Sequence, residues 1–134
     1  MSKSEILLES INDFYLVENN RKQLVDILEK NGTVSLRNLE WFITNYSKKK
    51  YLTYKTEDGK SFTVHCAYKS SLDGYSKKLF DPFCRINKFV YKVPGCDKEL
   101  TTTVAQLNFI RWCIKYNIIQ YILDNKQELF AKET

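Results

Sequence analysis

The sequence predicts an α+β fold, with N-terminal helices, central antiparallel β-hairpins and a long buried C-terminal helix, in a single domain over residues 1–134. Three observations carry this expectation. Apolar residues recur at helical spacing up to Tyr46 and again after Thr103. Between those stretches the pattern alternates and is cut by the turn dipeptides Asp58-Gly59 and Pro94-Gly95. A chain of 134 residues is long enough for one core but not for two.

The elements follow in order. Ser2 with Glu5 has the form of a capping box, and Ile6, Leu7, Ile11, Phe14 and Tyr15 mark the inner stripe of a first helix. Glu18-Asn19-Asn20 interrupts, a second helix runs from Arg21 to Lys30, and Asn31-Gly32 stops it. Ser35 caps a third helix whose inner face is Leu36, Leu39, Phe42, Ile43 and Tyr46; Lys48-Lys49-Lys50 at its end suits the helix dipole. A hairpin from Tyr51 to Tyr68 turns at Glu57-Asp58-Gly59, with Gly59 left-handed in a bulge. The expected register sets Thr56 against Phe62, Tyr54 against Val64 and Leu52 against Cys66. Lys69 to Arg85 is irregular or holds one short helix, anchored by Phe80-Asp81-Pro82-Phe83. Arg85 to Val93 alternates as a strand with Phe89, Tyr91 and Val93 on one side, and Glu99 to Thr101 returns as its partner. Thr103 and Gln106 cap the strongest helix, whose polar stripe is Asn108, Arg111 and Lys115; Asn117 bends or ends it, and Ile118 to Phe130 forms a last amphipathic helix.

Charge is unevenly placed. Residues 1–47 carry net −2 and residues 99–134 net zero, whereas residues 48–98 hold twelve bases against five acids, so the middle segment accounts for the whole excess of +5. The same segment carries nine aromatic residues. Lysines interleaved with aromatic rings can neutralise phosphates while the rings stack on unpaired bases. Three helices followed by a hairpin also fit a winged helix, with Leu36 to Ser47 as recognition helix and Lys55 and Lys60 on the wing. The plainer account makes the rings core and the lysines a solvated face. With only four arginines, and with Glu40 on that helix, base reading in a major groove is poorly served.

Catalytic chemistry is not expected. His65 is the one histidine, and on a strand it points away from its neighbour Cys66. No phosphate-binding loop, dinucleotide fingerprint, zinc-protease motif or nucleophile elbow occurs. Cys66, Cys84, Cys96 and Cys113 lie 18, 12 and 17 residues apart without a close pair, so free thiols are expected and no metal site. No cofactor is called for, no apolar run reaches the ~18 residues of a membrane span, and the N-terminus lacks the form of a secretory signal. The protein is expected to be intracellular: cytosolic, nuclear or viral.

Three stretches carry a resemblance: Ser35 to Tyr46, Tyr75 to Arg85 and Thr102 to Trp112. They resemble a group of small uncharacterised proteins of nucleocytoplasmic large DNA viruses, over roughly the last hundred residues. Codon bias agrees: Lys, Asn, Ile and Tyr number 46 against 13 for Ala, Gly, Pro and Arg, as in an AT-rich genome. The resemblance implies a viral setting and transfers no site. The resulting expectation is a non-enzymatic protein whose basic, aromatic centre contacts an acidic partner, either another viral protein in virion assembly or nucleic acid. The candidate contact residues are Lys69, Tyr75, Lys77, Lys78, Arg85 and Lys88.

Overall fold

A computed structural model describes residues 3–29, 34–84 and 87–126, together with Leu129. Ser2, Asn31, Gly32, Arg85 and Phe130, which figure in the expectations above, lie outside the described residues.

Helices α1 (Lys3–Tyr15) and α2 (Glu18–Leu28) open the chain. Glu18-Asn19-Asn20 forms the first turn of α2, so the break falls earlier, at Leu16 and Val17. The Asn20 amide donates to the Phe14 carbonyl (3.0 Å), which ties the second helix to the end of the first. Ser35 caps α3 (Leu36–Trp41) as expected: its hydroxyl accepts from the Asn38 amide, and the Asn38 side chain accepts from the Ser35 N–H. A π-helical turn (Phe42–Tyr46) and α4 (Ser47–Lys50) continue the same helix, which ends on Tyr51 in the left-handed region.

The first hairpin pairs β1 (Thr53–Lys55) with β2 (Ser61–Thr63). Its loop has the expected three residues, closed by the Thr56 N–H on the Lys60 carbonyl (3.0 Å) with Gly59 at φ +81°. The register differs by two residues: Tyr54 faces Phe62 and Thr53 faces Thr63. A shift of two preserves the face, so Tyr54 and Phe62 still share the inner side, with ring centres 5.4 Å apart. The second strand ends at Thr63, where α5 (Val64–Tyr75) begins. His65, Cys66 and Lys69 therefore stand on a helix rather than on a strand or in irregular chain. Ser76, at φ +74°, separates α5 from the short α6 (Lys77–Phe80).

The second hairpin pairs β3 (Phe89–Lys92) with β4 (Glu99–Thr102) antiparallel as expected, but its first strand is shorter than the expected Arg85 to Val93: Asn87 and Lys88 lie outside it, with Asn87 at φ +62°. Tyr91 donates to the Asn12 carboxamide oxygen (2.7 Å), Arg21 donates to the Pro94 carbonyl (3.1 Å), and Lys98 pairs with Glu29 (2.5 Å). These contacts bind the hairpin to α1 and α2. Gly95 sits at φ +80°, which favours glycine, and a Cβ there would also displace the Arg21 guanidinium from its place beside Pro94.

The last helices, α7 (Val104–Lys115) and α8 (Ile118–Asp124), are separated by Asn117 at φ +60°. Thr103 caps α7 by accepting from the Gln106 N–H (3.1 Å), but the Gln106 side chain accepts from Thr102 instead of closing a box. Helix α7 packs against α1, α2, α6 and α8, and Leu107, Phe109, Ile110 and Cys113 are wholly buried. Asn108, expected on a solvent stripe, is buried too. The buried side chains of the helices and both hairpins form one cluster, with α7 running through it.

One polar contact inside that cluster gives a direct test. Tyr15 is fully buried and donates to the Leu107 carbonyl (2.8 Å) across the α1–α7 contact. Tyr15→Phe is expected to lower unfolding free energy by about 1–1.5 kcal/mol, measured by urea denaturation. An unchanged midpoint would show that the bond adds nothing net.

Candidate functional site: a basic cleft between helices

Residues from three separate stretches line a cleft of about 500 Å³. Glu40, Thr44 and Lys48 form one wall, His65, Tyr68, Lys69 and Leu72 a second, and Lys77, Asp81 and Phe83 close it.

The first wall follows from four-residue spacing along one continuous helix. Its π turn falls within this stretch, the Ser47 N–H reaching back five residues to the Phe42 carbonyl. The Thr44 hydroxyl donates to the Glu40 carbonyl (2.8 Å) and its carboxylate (3.2 Å), and the Ser47 hydroxyl donates to the Ile43 carbonyl (2.5 Å). Such back-bonding loosens a regular helix, and single π turns concentrate where helices carry sites.

The second wall is one face of α5. Val64 and Tyr68 turn inward, and His65, Lys69 and Leu72 follow along the adjoining edge. The third wall depends on α7. The Asn108 amide donates to the Leu79 carbonyl (2.8 Å), and Phe80 is fully buried against Phe109 and Trp112. These contacts hold α6 so that Lys77 stands at the cleft. Just beyond, the Asp81 carboxylate accepts from the Phe83 N–H (2.9 Å) in a tight turn, and Phe83 remains 46% exposed. Of the two phenylalanines expected to anchor this segment, Phe80 enters the core and Phe83 faces the cleft.

The charges within the cleft are sorted. Burial, and then the ammonium groups of Lys48 and Lys69, lower the pKa of His65, so its imidazole is neutral at pH 7. Burial, and then the carboxylates of Asp81 and Glu40, raise the pKa of Tyr68. His65 therefore marks a cationic side and Tyr68 a side with two carboxylates.

Of the six candidate contact residues, Lys69 and Lys77 are brought together here. Tyr75 stacks on Phe80 (5.7 Å between centres, 16° between planes) and is 37% exposed. Lys78 and Lys88 are exposed and do not line the cleft, and Arg85 lies outside the described residues. Lys48, Thr44, His65 and Phe83 were missed as a group. Lys48 reads in sequence as a helix-end charge and His65 as a strand residue, and only the packing of α4 against α5 joins them.

All four cysteines are free thiols; Cys66 and Cys96 are exposed, and burial raises the pKa of Cys113. Among the described residues no three His, Cys, Asp or Glu side chains are grouped to hold a metal, and no helix is long and apolar enough to cross a membrane.

No solved structure matches this chain. Among curated proteins it is similar to Uncharacterized protein L507 of Acanthamoeba polyphaga mimivirus, with 41% identity over 108 residues. That alignment covers 74% of this chain and 41% of the viral protein, so the chain spans well under half the length of its relative. The relative is the product of a large DNA virus, in keeping with the resemblance read from the three stretches. A family model matches residues 1–133, and the chain belongs to that family, DUF7197, a family of unknown function.

Proposed function

We propose that this chain is a non-enzymatic viral protein that contacts an acidic partner through the cleft, with another viral protein in virion assembly as the first reading. One observation carries it: Lys48, Lys69 and Lys77, from three separate helices, converge with His65 on a single concavity. Surface lysines that serve only solubility have no reason to converge. The sorting of charge favours a protein partner, because Glu40 and Asp81 can take up partner N–H or basic groups while the lysines take carboxylates or phosphates.

A second reading, nucleic-acid binding in genome handling or transcription, draws on the exposed rings. Tyr51, directly after Lys48-Lys49-Lys50, is 73% exposed, and Phe83 lies at the cleft itself. Rings beside lysines can stack on unpaired bases.

The two readings separate in one experiment. Purified protein and a variant with Lys48, Lys69 and Lys77 changed to Gln are compared for binding to poly-glutamate and to single-stranded DNA over a salt series. The protein-partner reading expects poly-glutamate binding that the variant loses, together with recovery of the wild-type protein in purified virus particles. Tighter DNA binding, with log affinity falling by about 0.7 per phosphate contacted for each decade of salt, would favour the second reading. Loss of neither ligand in the variant would refute the cleft as the contact site.

A further inference from the structure

We infer that the cleft is built for a phosphoryl group, specifically the phosphorylated serine or threonine side chain of a partner protein. This rests on the proposed contact through the cleft and names the chemistry of the group that it recognises.

Three lysines, Lys48, Lys69 and Lys77, line one concavity together with Tyr68, whereas the Thr44 hydroxyl is already taken by Glu40. A single carboxylate presents two oxygens and one charge, which leaves most of these donors unmatched. A phosphorylated side chain carries nearly two charges and three acceptor oxygens, and so matches three lysines and a hydroxyl. Lysines here act as point charges, which suits a compact dianion on a flexible stem.

The surroundings argue for a protein source over a polynucleotide. Neighbouring phosphates in a nucleic-acid strand would approach Glu40 and Asp81, which sit in the same cleft and repel them. In a peptide the flanking groups are N–H donors, which those carboxylates can accept. Leu72 and Phe83 supply an apolar wall for a flanking side chain.

His65 reports on the site. The charged or titratable groups facing it in the cleft are Glu40, Lys48, Tyr68, Lys69, Lys77 and Asp81. Lys48 and Lys69 hold its pKa below 6.5 in the free protein, after the effect of burial. A bound dianion opposes that repulsion, so the midpoint is expected to rise when phosphate binds. Because the chain has one histidine, its imidazole gives one unambiguous NMR titration.

The test uses the full chain with three probes: inorganic phosphate, a short peptide carrying phosphoserine, Glu or Ser at one position, and single-stranded DNA. Phosphate and phosphopeptide are expected to raise the His65 midpoint, and the phosphopeptide to bind about tenfold tighter than its Glu counterpart. Lys69→Gln and Lys77→Gln should each weaken phosphopeptide binding about tenfold, whereas Lys92→Gln, on β3 and not among the residues lining the cleft, should not. All three sites are exposed, and unchanged circular dichroism confirms folding. An unshifted His65 midpoint at saturating phosphate overturns the inference, as does equal binding of the phosphoserine and Glu peptides. In that second case the acidic-partner reading survives, whereas binding to none of the probes ends both. DNA bound more tightly than phosphopeptide through the same lysines refutes the protein source.

Discussion

Phe80→Ala is expected to destabilise the fold by about 3–5 kcal/mol, which should show as a fall in the urea midpoint with little change in slope. Phe80 is wholly buried, and four rings surround it, those of Tyr68, Tyr75, Phe109 and Trp112, with centres 5.7–5.8 Å away. Two of these meet it edge to face, which adds to the burial of the ring itself. Alanine leaves a void that Tyr68, Phe109 and Trp112, packed against one another, cannot close. The consequence reaches the cleft, because Phe80 is the last residue of α6 and Lys77 the first. Ligand binding through Lys77 should therefore weaken in this variant even under conditions where it remains folded. Retention of full stability would mean that α6 is held by something other than this ring cluster.

Asn108→Ala is expected to cost about 2–3 kcal/mol. The side chain is buried, donates to the Leu79 carbonyl (2.8 Å) and accepts from the Arg111 guanidinium (2.8 Å). Removal leaves a carbonyl and a cation short of a partner in a partly buried setting, and an unmatched buried group costs more than the bond itself contributes. Arg111 keeps its bond to the Ser10 hydroxyl (2.8 Å), which limits the loss on that side. Asn108→Leu, close in size, distinguishes lost packing from lost bonding. If leucine restores stability, the carbonyl of Leu79 was not dependent on Asn108.

Much of the fold was legible in the sequence. Ser35 and Thr103 announce helix starts through a hydroxyl three residues before an amide that needs an acceptor, and both serve that role. Pro94-Gly95 and Asp58-Gly59 mark turns because the two glycines adopt φ near +80°. What was misread is equally specific. Val64, Cys66 and Tyr68 alternate like a strand, yet Val64, Ala67, Tyr68 and Leu72 also repeat at helical spacing, and the helix prevails. In the helical form Val64 and Tyr68 are both buried, with Tyr68 against Phe80, Phe109 and Trp112, partners more than ten residues away that local pattern cannot reveal. Asn108 failed for the same reason, since its partner Leu79 lies 29 residues earlier.

The sequence by itself determined that the chain is mixed α+β, that a well-capped apolar helix follows Thr103, and that the positive charge belongs to its middle third. These are properties of composition and of neighbours a few residues apart. Only the tertiary structure decided which charges meet. Lys48, Lys69 and Lys77 gather around one cleft, while Lys98 is paired with Glu29 and Lys78 and Lys88 stand apart from it. Convergence of side chains depends on how α4, α5 and α6 are set against one another, and that is fixed by buried rings and by one asparagine on α7, far from the lysines in sequence.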